Sequence, residues 1–265
     1  SRYIARYAKS KEFIHKKLTY TESMPWGNEF YFLSAGLPEV RKSGAYTWKI
    51  TNHGRRVADI FRARPEDSVF KPLRIAHAGG GIDGITYTNS YEALDHNIKK
   101  GYTYFELDFS VTKDRKVVCL HDWTHSFKRS FGFDTTERIT QDRFEFLTES
   151  KYKYKKCTLD GLVKWLERNP RAIIVTDVKE DNLWVLSLIS RKVPNANRRI
   201  IPQLYQPENY DAIREMGYDH VIWTLYRYTG HQEDILSWVR TFSGPLAAVT
   251  MPKGRGKSIL PMEAI

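Results

Sequence analysis

Four side chains that could carry acid–base or metal chemistry lie in or beside three apolar runs. His77 and His121 each close an apolar run, and Glu106 and Asp108 lie two residues apart in a third. Side chains two apart on a strand point to the same face, so these carboxylates project together. Buried carboxylates this close repel each other unless a cation holds them, and paired acidic oxygens suit Mg²⁺ or Ca²⁺. Histidine titrates near neutrality, so the residue types indicate metal-assisted proton transfer.

The surrounding pattern predicts a strand–helix–strand unit followed by a further strand. Leu73–Ala76 is a short apolar run before glycines, Ser90–Lys100 has helical spacing, and Tyr102–Val111 is rich in aromatic and β-branched residues. Strands joined through a helix run parallel, and Lys116–Leu120 is the next predicted strand. The carboxyl ends of parallel strands lie on one side of a sheet, where sites form. All four side chains could therefore face one cavity.

Each of these signals has a simpler interpretation when it is taken alone. A single histidine at a strand end is more often structural than catalytic, and a single Glu-x-Asp is usually a solvated strand face. The combination, in this order and at comparable strand positions, favours a functional site.

The order of the motifs resembles the glycerophosphodiester phosphodiesterases. The motifs are His-x-Gly at His77, Asn-Ser-x-Glu-Ala at Asn89, Glu-Leu-Asp at Glu106, Thr-Lys-Asp and Val-Val-x-Leu-His-Asp. The likeness continues at Thr158-Leu159 and in Ile174–Lys179, and it covers about residues 74–251. It implies a TIM-type (β/α)8 barrel and a metal-dependent enzyme. Phosphatidylinositol-specific phospholipase C and the sphingomyelinase-type phospholipase D toxins are related to this family.

The resemblance also implies a role for each matching residue. His77 and His121 would be the general acid/base pair, and Lys179 would contact the phosphate. The implied ligands of the divalent metal, Mg²⁺ or Ca²⁺, are three acids: Glu106, Asp108 and Asp177. In this family a hydroxyl of the substrate is thought to attack first and give a cyclic phosphate.

The chain departs from the family pattern at several positions. The arginine expected after the first histidine is Ala78, and Pro-Glu-Asn-Thr is replaced by the four residues from Tyr87 to Ser90, which keep only Asn89. Position 177 is Asp, as in the toxin branch, where most of the phosphodiesterases have Glu. Loss of a guanidinium removes a bidentate phosphate contact, so the substrate or its binding differs from that of a plain glycerophosphodiester. We assign Asn89 to substrate binding.

Two later residues are candidate walls of the substrate pocket. Gln203 and Trp223 lie at or near the ends of predicted strands, on the side of the histidines. For Trp223, ordinary core packing is an equally good interpretation. The segment 123–140 is predicted to be a loop, in which His125, Lys128 and Arg129 could reach an anionic substrate or remain solvated.

Composition limits the class of protein and of partner. The chain has 265 residues, 41% of them hydrophobic and 14% aromatic, which is enough for a sizeable core. Its formal charge of +11 favours anionic partners such as lipid headgroups or phosphorylated glycans. The basic segment 1–18 could lie on an anionic membrane surface, although a helix packed on the barrel is the preferred interpretation. We do not expect nucleic acid as a partner, since no recognisable module accompanies the basic-aromatic segment 151–156.

Other properties are left open by the sequence. It does not indicate an oligomeric state, and it is compatible with a cytoplasmic, an exported or a membrane-associated location. Cys119 and Cys157 are too far apart in sequence, in a domain of this size, to form a disulfide framework.

We predict two parts, an extension over residues 1–71 and a phosphodiesterase-like barrel over residues 72–265. The extension is expected to be a basic helix followed by irregular, aromatic-rich chain. We count about seven strands where a barrel needs about eight, so either the chain lacks C-terminal strands or the count is wrong. The resemblance implies that one or two further strands follow. The predicted function is hydrolysis of a glycerophosphodiester or related diester. The alternatives are an inactive barrel that binds anionic ligands or membrane, and a phospholipase D-like activity on lipids.

Overall fold

The computed structural model describes residues 74–231, 233–244 and 246–251, together with four short strand segments nearer the amino terminus. In chain order the strands are β1 Lys17–Tyr20, β2 Glu29–Tyr31, β3 Val40–Ser43, β4 Ala45–Trp48, β5 Arg74–Ala76, β6 Tyr104–Val111, β7 Val117–Val118, β8 Ile173–Val178, β9 Ile200–Leu204, β10 Ile222–Thr224 and β11 Ala248–Met251. The α-helices are α1 Tyr91–Lys99, α2 His125–Phe131, α3 Gln141–Ser150, α4 Leu159–Arg168, α5 Asn182–Lys192, α6 Ala196–Arg199, α7 Tyr210–Glu215 and α8 Asp234–Thr241.

Strand pairing forms a closed ring in the described part of the chain. β5 pairs in parallel with β6, and β6, β8, β9, β10 and β11 continue in parallel register. β2 pairs antiparallel with both β11 and β1, and β1 pairs in parallel with β5. The predicted barrel of alternating strands and helices is therefore confirmed, with one antiparallel strand in its wall.

The two ring strands that the sequence count lacked come from the segment before residue 72. We predicted irregular chain over residues 19–71, and the structure instead has four short strands in or touching that segment. Strands of three or four residues carry too few side chains for a period of two to stand out. The division of the chain at residue 71 remains a prediction.

The strand predicted at Lys116–Leu120 is wrong in its length and in its place in the barrel. β7 contains only Val117 and Val118, and it pairs antiparallel with the end of β6, outside the ring. The chain then leaves β6, and the amide of Cys119 donates to the carbonyl of Cys157 over 2.7 Å. Both thiols are free and buried, in agreement with the expectation of no disulfide framework.

The segment 123–140 is not entirely a loop, because it contains α2. Asp122, directly after His121, accepts hydrogen bonds from the amides of Thr124 and Ser126, each over 3.0 Å. These bonds satisfy amides at the start of α2 that have no partner within the helix. The helix is thereby tied to the residue that follows the second histidine.

The core has an inner layer inside the ring and an outer layer between the strands and the helices. The inner layer takes one residue from each of several ring strands: Ile75, Tyr104, Val175, Ile201, Ile222 and Ala248. Because successive side chains on a strand alternate, the residues two positions further along these strands share the interior. They are polar and buried, and they include Glu106, Asp177, Gln203, Thr224 and Thr250. An apolar floor thus lies beneath a polar layer.

No helix among those described is long and apolar enough to span a bilayer. We predicted a helix in the basic segment 1–18. Residues 1–16 lie outside the described residues, and β1 begins at Lys17. Contact of that segment with a membrane surface stays a prediction.

Candidate active site

Three carboxylates converge inside the ring. Glu106 and Asp108 project from β6, and Asp177 lies on β8 directly opposite Asp108. One oxygen from each of the three lies within 4.8 Å of the others, and all three residues are buried. The predicted pairing of Glu106 with Asp108 by strand period is therefore observed, and the parallel register with β8 adds the third acid.

The donor set fits a hard divalent cation. Among the described residues, Glu106 Oε1 and Asp108 Oδ1 are buried and have no hydrogen-bond partner. Burial raises the pKa of Glu106 well above its usual value, and the charges of Asp108 and Asp177 raise it further. Unpaired carboxylate oxygens in a buried site are the ligands that Mg²⁺ or Ca²⁺ prefers. A bound cation would remove this repulsion.

His77 is placed against Glu106 by a strained turn. Ala78 has a φ of 49°, in the left-handed region, and this turns its amide to donate to Glu106 Oε2 over 2.8 Å. His77 Nε2 then lies 3.6 Å from the same oxygen. Burial lowers the pKa of His77, while the charges of Asp108 and Asp177 oppose that effect. Backbone strain of this kind persists where the surrounding contacts impose it, and it occurs often at functional sites.

Asn89 fixes Asp108 rather than standing free in the cavity. Its Nδ2 donates to Asp108 Oδ2 over 2.9 Å, and its Oδ1 accepts from the Asp108 amide over 3.0 Å. Burial raises the pKa of Asp108, but the charges of Lys179, His121 and His77 outweigh burial and leave it below its usual value. Asn89 therefore holds the carboxylate that faces the other acids.

Asp177 is surrounded by donors. It is ion-paired with Lys179 and accepts a hydrogen bond from the Tyr205 hydroxyl. The Tyr226 hydroxyl lies 3.1 Å from both carboxylate oxygens and accepts from Lys179 Nζ over 2.7 Å. Lys179 Nζ also lies 3.6 Å from Asp108 Oδ1. The two acids raise the pKa of Lys179 despite its burial, so it stays charged at neutral pH.

His121 is held by the residue that follows it. Its Nδ1 lies 2.7 Å from Asp122 Oδ2, and the imidazole is 44% exposed, whereas that of His77 is 11% exposed. Burial raises the pKa of Asp122, but hydrogen bonds from Ser126, His121 and Thr124 outweigh it, so the carboxylate is ionised at neutral pH. A carboxylate partner on Nδ1 fixes the orientation of the imidazole and so of its other nitrogen.

Residues 77–170 match the model of the Glycerophosphoryl diester phosphodiesterase family. A human protein, lysophospholipase D GDPD1, is 26% identical over 158 residues, which are 55% of this chain and 48% of that protein. This central part of the chain is therefore similar to the glycerophosphodiester phosphodiesterases. The chain spans about half the length of the curated relative that it matches.

The fold is similar to that of a solved structure, and a second one gives a lower score. A Galdieria sulphuraria protein assigned to these enzymes superposes with a TM-score of 0.50 at 15% identity, over 64% of this chain and 71% of that one. The Thermotoga maritima glycerophosphodiester phosphodiesterase gives a TM-score of 0.47 at 23% identity, over 64% and 70% of the two chains. Asp177 and Lys179 lie beyond the family-model match, so their place in the cluster comes from the fold.

The structure brings together most of the side chains singled out from the sequence, but not Trp223. Gln203 is in the polar layer, where its Oε1 accepts a hydrogen bond from Thr224. Trp223 points to the outer core, packs edge-on against Tyr228 and Phe242, and donates to the carbonyl of Tyr205 over 3.2 Å. The packing interpretation of Trp223 therefore agrees with its observed place.

Sequence reasoning missed several residues that border the cluster. Asp122, Tyr205 and Tyr226 all contact a candidate site residue. Asp122 had a detectable signal, since an acid just before a helix is a common cap. The two tyrosines had none, because each reaches Asp177 from a different ring strand or its following turn.

Proposed function

We propose that this chain is a metal-dependent phosphodiesterase acting on a glycerophosphodiester or a related diester. The observation that carries the proposal is the buried cluster of Glu106, Asp108 and Asp177, in which two carboxylate oxygens accept no hydrogen bond. A bound divalent ion would supply charge neutralisation at the phosphate and lower the pKa of a coordinated oxygen. Lys179 lies beside two of the acids, and its ammonium group can contact the substrate's phosphate.

The two histidines flank this cluster in different environments. One imidazole can take the proton of the attacking hydroxyl, and the other can give a proton to the leaving oxygen. The Asp122 contact orients His121, whose imidazole is the more exposed of the two, and this suits that residue for donation to the leaving group. His77, enclosed beside Glu106, is then the proton acceptor. The attacking oxygen bonds to phosphorus as the bond from phosphorus to the leaving oxygen breaks, and the alcohol leaves with the proton from His121.

The alcohol part of the substrate is proposed from the relative. The human protein that matches over 158 residues is named a lysophospholipase D, and this favours a lysophospholipid among the candidate substrates. A glycerophosphodiester that lacks an acyl chain is the other candidate. The two differ by one acyl chain, so comparing them measures whether the chain contributes to binding.

The test is hydrolysis of glycerophosphocholine and lysophosphatidylcholine, each with Mg²⁺, with Ca²⁺ and with a chelator. We expect metal-dependent release of choline or of the glycerophosphate product that His77→Ala and His121→Ala reduce by at least about a hundredfold. His96→Ala, on α1, is the matched control and should retain activity. Folded protein with no turnover of either substrate with any metal would favour the alternative of a barrel that only binds anionic ligands.

A further inference from the structure

The proposed site has too little positive charge to balance a bound phosphodiester. The three carboxylates are balanced by Lys179 and one divalent ion, so the loaded cluster is neutral. A phosphodiester brings one negative charge, and more negative charge builds on its oxygens in the transition state. The residue after His77 is Ala78, whose methyl group offers no charge. A further cation beside His77 would supply the positive charge that Ala78 lacks.

Arg129 lies on that side of the site. Its Cζ is 5.3 Å from the centroid of the Tyr87 ring, and the Tyr87 ring in turn lies edge-on to His77 with centroids 4.8 Å apart. One aromatic ring therefore separates the guanidinium from the imidazole. Arg129 is exposed on α2, which begins soon after His121.

The helix that carries Arg129 is fixed relative to the second histidine. Asp122 accepts from the Ser126 amide at the start of α2 and contacts His121 Nδ1 with its other oxygen. The position of Arg129 is thus set from two directions, by the Tyr87 ring and by the capped helix. Stacking on a ring leaves the edge of a guanidinium open for hydrogen bonds.

The donors of Arg129 are not consumed by acids. Within the described residues its hydrogen bonding amounts to a 3.5 Å contact from Nη2 to Ser126 Oγ, and no carboxylate pairs with it. The adjacent Lys128, by contrast, bonds Asp134 over 2.7 Å. Burial, reinforced by the charge of Arg129, lowers the pKa of the nearby Lys156 to about 8. Arg129 and Lys156 therefore place positive charge here that is not paired with a carboxylate of the described residues.

We propose that Arg129 is a substrate-binding residue whose guanidinium contacts a non-bridging phosphate oxygen on the His77 side, with Tyr87 as its positioning residue. The proposal rests on the proposed function for its substrate class, a phosphodiester. Arg129 and Lys179 would then form an anion clamp, in which both cations contact the phosphate above the carboxylates.

The experiment measures binding of inorganic phosphate to the Mg²⁺-loaded protein by calorimetry. Arg129→Ala should weaken phosphate binding about 10- to 100-fold, the range for a hydrogen bond to a charged group, and Arg129→Lys should restore part of it. Tyr87→Leu should weaken binding less, because the guanidinium remains but is no longer stacked. Lys128→Ala, at the adjacent exposed position, is the matched control and should bind as the wild type does.

Two further outcomes separate this inference from the proposed function. Phosphate binding that depends on Arg129, in a protein that hydrolyses no diester, would support the anion clamp and reject the enzymatic activity. With an active protein, Arg129→Ala should raise KM for glycerophosphocholine more than it lowers kcat. Wild type that fails to bind phosphate, or an Arg129→Ala protein that binds it as well as Lys128→Ala does, would overturn the inference.

Discussion

Asp122 contacts His121 Nδ1 over 2.7 Å, and the same carboxylate caps the helix that follows. One side chain therefore orients a candidate catalytic residue and fixes the element that carries Arg129. Asp122 thus links the imidazole of His121 to the position of α2.

Asp122→Asn separates these two roles. An amide can still accept from the helix amides, but it lacks the charged oxygen that orients the His121 imidazole, so we expect kcat to fall by roughly 10- to 100-fold. The free energy of unfolding should fall by about 1 kcal/mol or less, since Asn is also a good cap. Steady-state kinetics and urea unfolding measure the two effects. A loss of stability with unchanged kcat would show that Asp122 serves only as a cap.

Metal binding should be visible without turnover. An ion that binds only the folded state raises stability by about 2.7 kcal/mol at a hundred times its Kd, so Mg²⁺ or Ca²⁺ should raise the Tm of the wild type. Glu106→Gln and Asp108→Asn should abolish that rise. Asp160→Asn, an exposed acid paired with Lys192, is the control and should keep it. Equal rises in all four proteins would mean that the cation binds elsewhere.

Because of Lys156, the free energy of unfolding should change with pH in the alkaline range. The lysine is buried, its Nζ donates to the Thr88 carbonyl over 2.8 Å, and its pKa is lowered from 10.5 to about 8 by burial first and by Arg129 second. The unfolded chain holds this proton up to a higher pH than the folded protein does. The unfolded state therefore binds more protons between about pH 8 and pH 10.5, and the free energy of unfolding rises with pH across that window.

Lys156→Met should lack this rise. Relative to the variant, the wild type should gain about 3 kcal/mol of unfolding free energy between pH 7.5 and pH 10.5, as measured by urea denaturation at several pH values. Lys151→Met, at an exposed position nearby, should follow the wild-type profile. Parallel pH profiles for wild type and Lys156→Met would show that the lysine keeps its ordinary pKa in the folded protein.

Tyr226 should act through Lys179 and Asp177. Tyr226→Phe keeps the ring, whose centroid lies 5.1 Å from Lys179 Nζ, and removes the hydroxyl that bonds both residues. We expect kcat/KM to fall by roughly 3- to 10-fold, the size of one ordinary hydrogen bond. In a double-mutant cycle the same change should have little effect once Lys179→Met is present. Additive effects would mean that the hydroxyl acts independently of the lysine.

The sequence predicts the paired acids of β6 because their spacing matches the period of a strand. Asp177 and Lys179 could be assigned only through the family resemblance, since their partners lie on another strand. Gln203 and Trp223 show the limit of the pattern. Gln203 pairs with Ile222, so Trp223 is one position out of phase and faces outward. Strands buried on both faces are apolar on both, and their phase cannot be read from composition.

Lys156 and Tyr226 lay beyond prediction for a related reason, and the sequence left open whether Arg129 reaches the substrate or stays solvated. Each contacts the site region through a partner more than forty residues away in sequence. Such contacts are set by how helices and loops pack over the ring, and no local spacing encodes them. The amino-terminal strands were missed because they are short and pair with strands from distant parts of the chain.

The antiparallel pairing of β2 with β11 has a consequence for how the protein acquires its fold. Tyr31 and Val249 are register partners although more than two hundred residues separate them in sequence. Contacts between such distant residues form late and slow the folding rate, because a long loop must close before they contribute. During synthesis, the edge of β2 that pairs with β11 stays unpaired until β11 has left the ribosome. We therefore expect slow refolding, limited by ring closure, and nascent chains that depend on chaperones to shield the waiting strands.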